Sequence, residues 1–181
     1  MARTLTPGEV RQILTELVHM LAERGQRAAI HVIGGAAVAL ANPERTATAD
    51  IDGFIRLVDA REVIEELQRR WGLEADWFNW HAQGLQPPIA GPEIWEEILR
   101  EGEVQLLTAS TDALLAMKLH AARAKDMADI AFLMAACDVS TLERAAAIYE
   151  HHYPGDTLSR RAEARVLHVL DQANIAESHS D

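Results

Sequence analysis

The segment that decides how this chain folds reads His31-Val32-Ile33-Gly34-Gly35-Ala36-Ala37-Val38-Ala39-Leu40. Residues 28–33 form an apolar run that predicts a buried strand, and the small apolar residues 35–41 predict a short helix. Gly34 and Gly35 have no side chains, so a backbone turn between strand and helix can come close to a phosphate group. The helix that follows directs its free amide groups and positive dipole end to the same place.

A second segment follows after a short loop and reads Arg45-Thr46-Ala47-Thr48-Ala49-Asp50-Ile51-Asp52. Residues 50–58 predict a strand, on which Asp50 and Asp52 would project from the same face because side chains alternate. Two neighbouring carboxylates repel each other, and a divalent cation such as Mg²⁺ removes that penalty. The alternative is a tight turn followed by a solvent-facing acidic strand. The polar residues before the pair either contact phosphate or cap the loop.

The remaining pattern predicts an α+β fold: a small mixed sheet flanked by helices, with a helical C-terminal half. Residues 6–9 read as a capping box that starts the first helix, and Gly25 ends it. Helices are also predicted at 59–71 and 92–100, a third strand at 103–108, and helices from 112 onward. The expected organisation is an α/β core at 1–110, a helical part packed on it at 111–175, and a disordered tail at 176–181.

Composition narrows the class of protein. The chain has 181 residues, a net charge of −11 and one cysteine, so no intramolecular disulfide can form. Cys137 lies in an apolar run and is interpreted as a small buried hydrophobe. No signal peptide or membrane-length apolar segment is present, which predicts a cytoplasmic, soluble protein. A strongly acidic chain suits a small nucleotide carried with a cation better than a long polyanion.

The glycine pair followed by Asp50-x-Asp52 resembles the nucleotidyltransferase superfamily. The likeness is closest to its bacterial minimal and AbiEii-like branch, which is associated with toxin–antitoxin and abortive-infection systems. The run Arg45-x-Thr-x-Thr48-x-Asp-Ile-Asp is similar to the approach to the catalytic strand in that branch. A helical segment with Lys118 and the Lys-Asp-x-x-Asp pattern at 125–129 is similar to a second motif of the branch.

This resemblance implies transfer of a nucleotidyl group from a nucleoside triphosphate to an RNA or protein acceptor. Asp50 and Asp52 would hold Mg²⁺, and backbone amides of Gly34 and Gly35 would hold the phosphates. Two metal ions would stabilise the attacking and leaving oxygens. Lys118 would neutralise the triphosphate, or else be a surface lysine beside a buried leucine stripe. Arg45, Thr46 and Thr48 are the residues proposed for phosphate contact in the loop.

A third carboxylate on a later strand normally completes such a site. In the predicted third strand the only acid is Glu103, the candidate here, and Gln105 occupies the alternating position. Asp76 is a second candidate. If neither reaches the site, the protein would bind nucleotide without transferring it, as an antitoxin or nucleotide-sensing module. A further alternative, suggested by the acidity alone, is an antibiotic-modifying nucleotidyltransferase.

Other polar and aromatic residues leave several interpretations open. Asp126 and Asp129 would pair with Arg123 or Lys125, cap their helix, or face the site, and the structural roles are favoured. His31 is interpreted as a packed core residue rather than a ligand. An aromatic cluster would close the core beneath a loop, stack on a base or shape an acceptor pocket; its members are Trp77, Phe78, Trp80 and His81.

Overall fold

A computed structural model describes residues 3–85, 87–88 and 92–178. The helices are α1 (Pro7–Glu23), α2 (Gly34–Ala41), α3 (Arg61–Trp71), α4 (Thr111–Ala121), α5 (Met127–Ala136), α6 (Leu142–His152) and α7 (Arg160–Ser178). The strands are β1 (Ala28–Val32), β2 (Ile51–Arg56), β3 (Phe78–Asn79), β4 (Trp95–Glu101) and β5 (Val104–Ala109). Short 3-10 helices occupy Trp80–Leu85, Pro92–Ile94 and Ala124–Asp126. The predicted α+β class is confirmed.

The first helix begins and ends as its sequence predicts. The Thr6 hydroxyl accepts a hydrogen bond from the backbone of Glu9, and the Glu9 carboxylate accepts one from the backbone of Thr6, completing the capping box. Gly25 has a φ of +65°, and its amide donates to Ala22 while that of Gln26 donates to Leu21. This left-handed ending satisfies the last carbonyl groups of the helix.

Within the described residues, five strands form one mixed sheet in the order β3-β2-β1-β5-β4. The central strand β1 runs antiparallel to β2 and parallel to β5, while β3 runs parallel to β2. All five residues of β1 are buried, as a strand in the middle of a covered sheet should be. Because β1 and β2 run antiparallel, the carboxyl end of β1 lies beside the start of β2.

The predicted helix at 92–100 is wrong: only Pro92–Ile94 forms a 3-10 turn, and β4 follows. The misleading signal was the helix-like spacing of Ile94, Trp95, Ile98 and Leu99. The register of β4 against β5 shifts between Glu97 and Leu99, so Ile98 is the extra residue of a bulge. The bulge breaks the period-two alternation and thereby imitates a helical pattern.

The described residues up to Leu85, together with Pro92–Ala109, form one compact unit, and those from Ser110 onward belong to a second. In the first unit α1 packs against α2, α3, β4 and β5. In the second, α4 packs against α5, α6 and α7, which also contact one another in part. The proposed domain limits at 110 and 175 stay predictions.

Several smaller expectations need adjustment. Helix α6 is capped by Thr141, whose hydroxyl accepts a hydrogen bond from the amide of Arg144. Cys137 is half-buried, and burial raises the pKa of its thiol to about 11. Helix α7 continues to Ser178, and residues 179–181 of the predicted tail lie outside the described residues. Among the described helices, none has the length and apolar character needed to cross a membrane.

Candidate nucleotide and metal site

The glycine turn lies between β1 and α2. Ile33 is still extended, and Gly34 opens the helix with a φ of +65°, a conformation that residues with a Cβ rarely adopt. The apolar side chain of Ile33, the N-cap residue, forms no capping hydrogen bond with the first amide groups of this helix. A Cβ at Gly34 would also overlap the Oδ2 atom of Asp52. Glycine is therefore required by backbone conformation and by the neighbouring carboxylate together.

Asp52 is the second residue of β2 and lies directly against this turn. Its carbonyl oxygen accepts a 2.9 Å hydrogen bond from the amide of Ile33, which fixes the start of β2 beside the end of β1. Its carboxylate Oδ1 accepts a 2.7 Å hydrogen bond from the side-chain amide of Asn79. Within the described part of the chain, Asp52 forms no ion pair with a lysine or arginine. The Asp52 side chain is half-buried.

Asp50 requires a correction. It lies in a bend before β2 rather than on the strand, so strand alternation does not set its direction. Its carbonyl oxygen instead accepts a 3.2 Å hydrogen bond from the hydroxyl of Thr48. The two aspartates are still separated by one residue of nearly extended chain. The Asp52 carboxylate is the one that lies beside the glycine turn.

Two of the three residues predicted for phosphate contact, Arg45 and Thr48, lie beside Gly35. A Cβ at Gly35 would lie 2.7 Å from the Thr48 hydroxyl and 3.1 Å from a terminal nitrogen of Arg45. The Arg45 guanidinium also donates to the carbonyl of Ala47, which folds the side chain back over its own loop. Thr48 is buried and pairs with Leu5 through two backbone hydrogen bonds of 2.7 and 2.8 Å. These contacts bring a cation and a hydroxyl to the turn.

The loop residue Thr46 is exposed and does not share this position against Gly35. It lines a neighbouring cavity of about 440 Å³ near the start of α1. The cavity is also lined by Arg11 and Arg45, while the lining residues include no carboxylate. Arg11 is fixed there by a 3.0 Å hydrogen bond to the carbonyl of Leu40. In a strongly acidic chain this is a locally basic surface beside the turn.

The candidates for a third carboxylate do not join the site. Glu103 lies in the turn between β4 and β5, and its carbonyl accepts from the amide of Ala28 at the start of β1. Asp52 lies past the other end of β1, roughly 20 Å away at about 3.3 Å per residue. Gln105 donates a 2.7 Å hydrogen bond to Glu97. We therefore do not include Glu103 in the candidate site.

Asp76 lies in the exposed turn that leads into β3. This turn is closed by a 3.2 Å hydrogen bond from the amide of Trp77 to the carbonyl of Glu74. Among the described residues, no group of three His, Cys, Asp or Glu side chains is placed to hold a metal ion. Asp52 is thus the carboxylate in contact with the turn, and the amide of Asn79 is the polar group added by the structure.

Asn79 is the residue that the sequence pattern missed. It pairs with Asp52 across the parallel strands β2 and β3. Because β3 has only two residues, it carries no period-two signal. The available signal was an asparagine between the aromatic residues Phe78 and Trp80, in a segment that otherwise reads as a loop.

Lys118 has a different partner from the one expected. Its ammonium group donates hydrogen bonds of 2.6 Å to Asp126 and 2.8 Å to Asp129. All three side chains are buried in the second unit. Asp126 and Asp129 therefore both bind Lys118, a partner that the sequence did not predict, and their two carboxylates exceed its single positive charge. Lys118 is therefore not a surface lysine, and its ammonium group binds carboxylates in the place of the expected phosphates.

The aromatic cluster divides into core and surface parts. Trp77 and Phe78 are buried, which confirms the core interpretation for them. Phe78 lies where a Cβ on Gly53 would come within 3.0 Å of its ring, so the small residue lets β3 approach β2. Trp80 is 37% exposed and lines a cavity of about 530 Å³ with residues 58–61. The side chain of His81 lies outside the described part of the chain.

His31 is a core residue, as predicted. Its ring stacks on Phe54 at 4.5 Å and meets the edge of Trp95 at 4.6 Å. Burial, assisted by the positive charge of Arg56, lowers the pKa of His31 to about 4. The imidazole is therefore neutral at pH 7, and one ring nitrogen lies 3.2 Å from the carbonyl of Ala29.

This histidine makes stability depend on pH. Its folded-state pKa lies below the usual value, so its contribution is fully present above about pH 6.5. It is lost as the pH falls toward 4, because the unfolded chain takes up the proton first. We expect up to about 3 kcal/mol of destabilisation from this group. Denaturant unfolding at pH 7.0, 5.5 and 4.5 should show a steeper loss for wild type than for His31→Phe.

His168, which is exposed in α7, gives the control. The variant His168→Gln should follow the wild-type pH dependence throughout this range. Equal slopes for wild type and His31→Phe would contradict the assignment of acid sensitivity to the buried imidazole.

With this geometry established, comparison with known sequences assigns a family. Residues 10–168 match the family described as "Nucleotidyltransferase of unknown function (DUF6036)". Because the match covers most of the chain, the protein belongs to this family of the nucleotidyltransferase class. No curated protein and no solved structure matches the chain.

Proposed function

We propose that this protein binds a nucleoside triphosphate with Mg²⁺ at the Gly34–Gly35 turn and transfers its nucleotidyl group to an acceptor hydroxyl. The supporting observation is the contact between the turn and Asp52: Gly34 has room for no side chain because the carboxylate occupies that space. The N-terminus of α2 can bind phosphate groups, and the neighbouring Asp52 carboxylate can bind Mg²⁺. A complex of Mg²⁺ with a triphosphate needs both groups close together.

Each group has a defined task in this proposal. Asp50 and Asp52 hold Mg²⁺, and the amides of Gly34 and Gly35 orient the β- and γ-phosphates. When bound, Mg²⁺ offsets the triphosphate charge and activates the α-phosphate for attack. The guanidinium of Arg45, placed against Gly35, adds a second positive group for the phosphates. The acceptor oxygen bonds to the α-phosphorus as the bond to pyrophosphate breaks.

The acceptor is an RNA or protein hydroxyl, and the setting is an AbiEii-like toxin–antitoxin system in the cytoplasm. The support is the resemblance of the segments around Arg45–Asp52 and Lys118–Asp129 to that branch. The net charge of −11 also suits a basic protein partner. Co-purification with a basic protein would test this part separately from nucleotide binding.

A second function is favoured by one observation. Asn79 stands beside Asp52 where a carboxylate would complete a catalytic set, and a neutral amide accepts no proton. The protein would then bind the metal–nucleotide complex as a sensing or antitoxin module and release little pyrophosphate. Measuring pyrophosphate in the presence of candidate acceptors separates the two functions, since both predict binding.

Binding itself is tested by titration calorimetry with each nucleoside triphosphate, with and without Mg²⁺. We expect Mg²⁺-dependent binding by wild type and a loss of at least about 100-fold for Asp52→Asn, since even outer-shell changes cost 10–100-fold. Asp50→Asn should show a loss in the same direction. The control Asp59→Asn removes a largely exposed carboxylate from the same unit and should bind normally.

Two results would contradict the proposal. One is an absence of Mg²⁺-dependent binding for every nucleoside triphosphate with a folded wild-type protein. The other is equal affinity for wild type, Asp50→Asn and Asp52→Asn, because the metal would then be held elsewhere.

A further inference from the structure

The side chain of Asn79 is in direct contact with the side chain of Asp52. Strands β2 and β3 run parallel, and Asp52 and Asn79 are paired across them. Paired residues on neighbouring strands project to the same face of a sheet. The 2.7 Å hydrogen bond from the Asn79 amide to Asp52 Oδ1 shows that the two side chains meet. From this position a carboxylate would reach the same metal as Asp52.

The two oxygens of Asp52 have different surroundings. Oδ1 accepts the hydrogen bond from Asn79, whereas Oδ2 lies against Gly34, where a Cβ would displace it. An aspartate that bridges two cations uses both oxygens as ligands. Here one oxygen is oriented by a neutral donor, and the other faces the turn where the phosphates would lie. The arrangement suits a single cation.

Among the described residues, no third carboxylate is grouped with Asp50 and Asp52. Glu103 lies at the far end of β1, and Asp76 lies in an exposed turn. The described residues contain no cluster of three acidic, histidine or cysteine side chains able to hold a metal. Two aspartates carry at most two negative charges, which one divalent ion neutralises. A second divalent ion would remain uncompensated by the protein.

We propose that Asn79 replaces the third carboxylate and positions Asp52, so that the site binds one divalent cation with its nucleotide instead of two. This inference rests on the proposed function, because it concerns the same metal–nucleotide site. Asn79 is a positioning residue: its amide fixes Oδ1 and thereby directs Oδ2 toward the bound cation. Because the neutral Asn79 amide accepts no proton, the acceptor hydroxyl releases its proton to solvent.

The number of cations can be counted directly. Wild-type protein is saturated with a nucleoside triphosphate analogue whose α–β bridge cannot be cleaved, and Mn²⁺ is titrated while free Mn²⁺ is followed by electron paramagnetic resonance. We expect one Mn²⁺ per protein–nucleotide complex for wild type. Asn79→Asp supplies the missing carboxylate and should bind two, with more pyrophosphate released from a cleavable nucleotide.

A matched control makes the same chemical change elsewhere. Asn42 follows α2, and its side-chain oxygen accepts from the amide of Glu44, a role that an aspartate retains. Asn42→Asp should therefore bind one Mn²⁺. Asn79→Ala should keep one Mn²⁺ but bind it about tenfold more weakly, since outer-shell partners orient metal ligands. Its melting temperature without metal should change little, which separates positioning from folding.

The outcomes are distinct. Two Mn²⁺ ions on wild type, or unchanged Mn²⁺ affinity in Asn79→Ala, would overturn this inference while leaving the proposed function intact. One ion on a folded Asn79→Asp variant would also overturn it. No metal-dependent nucleotide binding by wild type would overturn the proposed function and this inference together.

Discussion

Replacing Lys118 by methionine is expected to lower the free energy of unfolding by about 3–5 kcal/mol, the cost of removing one partner from a buried ion pair. The ammonium group contacts Asp126 at 2.6 Å and Asp129 at 2.8 Å, and all three groups are buried. Without the lysine, two carboxylates remain in a poorly solvated place with no cation between them. Thermal and urea unfolding of Lys118→Met would measure this loss.

Two further variants test whether the loss of stability comes from the buried charges around Lys118. Lys125→Met removes an exposed lysine from the same unit and should change stability by no more than about 0.5 kcal/mol. Combining Lys118→Met with Asp126→Asn and Asp129→Asn removes every charge of the cluster and should recover part of the lost stability. A Lys118→Met variant that keeps wild-type stability but loses nucleotide affinity would instead favour the phosphate role suggested by the motif.

Replacing Gly34 by alanine should abolish nucleotide binding while leaving most of the fold intact. An alanine at a φ of +65° costs about 1–2 kcal/mol in backbone strain. Its Cβ would also occupy the space of Asp52 Oδ2, so the carboxylate must move away from the metal position. We expect at least about a 100-fold loss of Mg²⁺-dependent affinity, since metal sites are sensitive to small ligand displacements.

Gly25→Ala is the matched control for the backbone strain of an alanine at positive φ. Gly25 has the same φ of +65°, but a Cβ there would meet nothing within 4 Å. This variant should lose a similar amount of stability through strain and should bind nucleotide normally. Equal nucleotide affinity for Gly34→Ala and wild type would contradict the placement of the phosphate site at this turn.

Local signals in the sequence were enough for much of the fold. The capping box at Thr6 and Glu9 forms as expected, because it depends on residues only three apart. The apolar run of β1 and the glycine pair after it likewise predicted a strand, a turn and α2 in the right order. The packed role of His31 followed from its place within that buried strand.

The predictions that were wrong depended on pairing between distant segments. A bulge at Ile98 moved the apolar residues of β4 into helix-like spacing, and only its partner β5 makes it a strand. Glu103 was a reasonable third acid by sequence order. It is excluded by register, because the hairpin turn that contains it lies at the start of β1.

The sequence by itself determined the class of site. The glycine turn and the acid pair that follows it are short-range features, and their chemistry can be read without knowing the rest of the fold. Tertiary structure decided which groups accompany them. It placed Asn79 on Asp52 through a two-residue strand too short to carry a pattern, and it paired Lys118 with two buried aspartates. Contacts of this kind depend on strand register and helix packing, which join residues far apart in the chain.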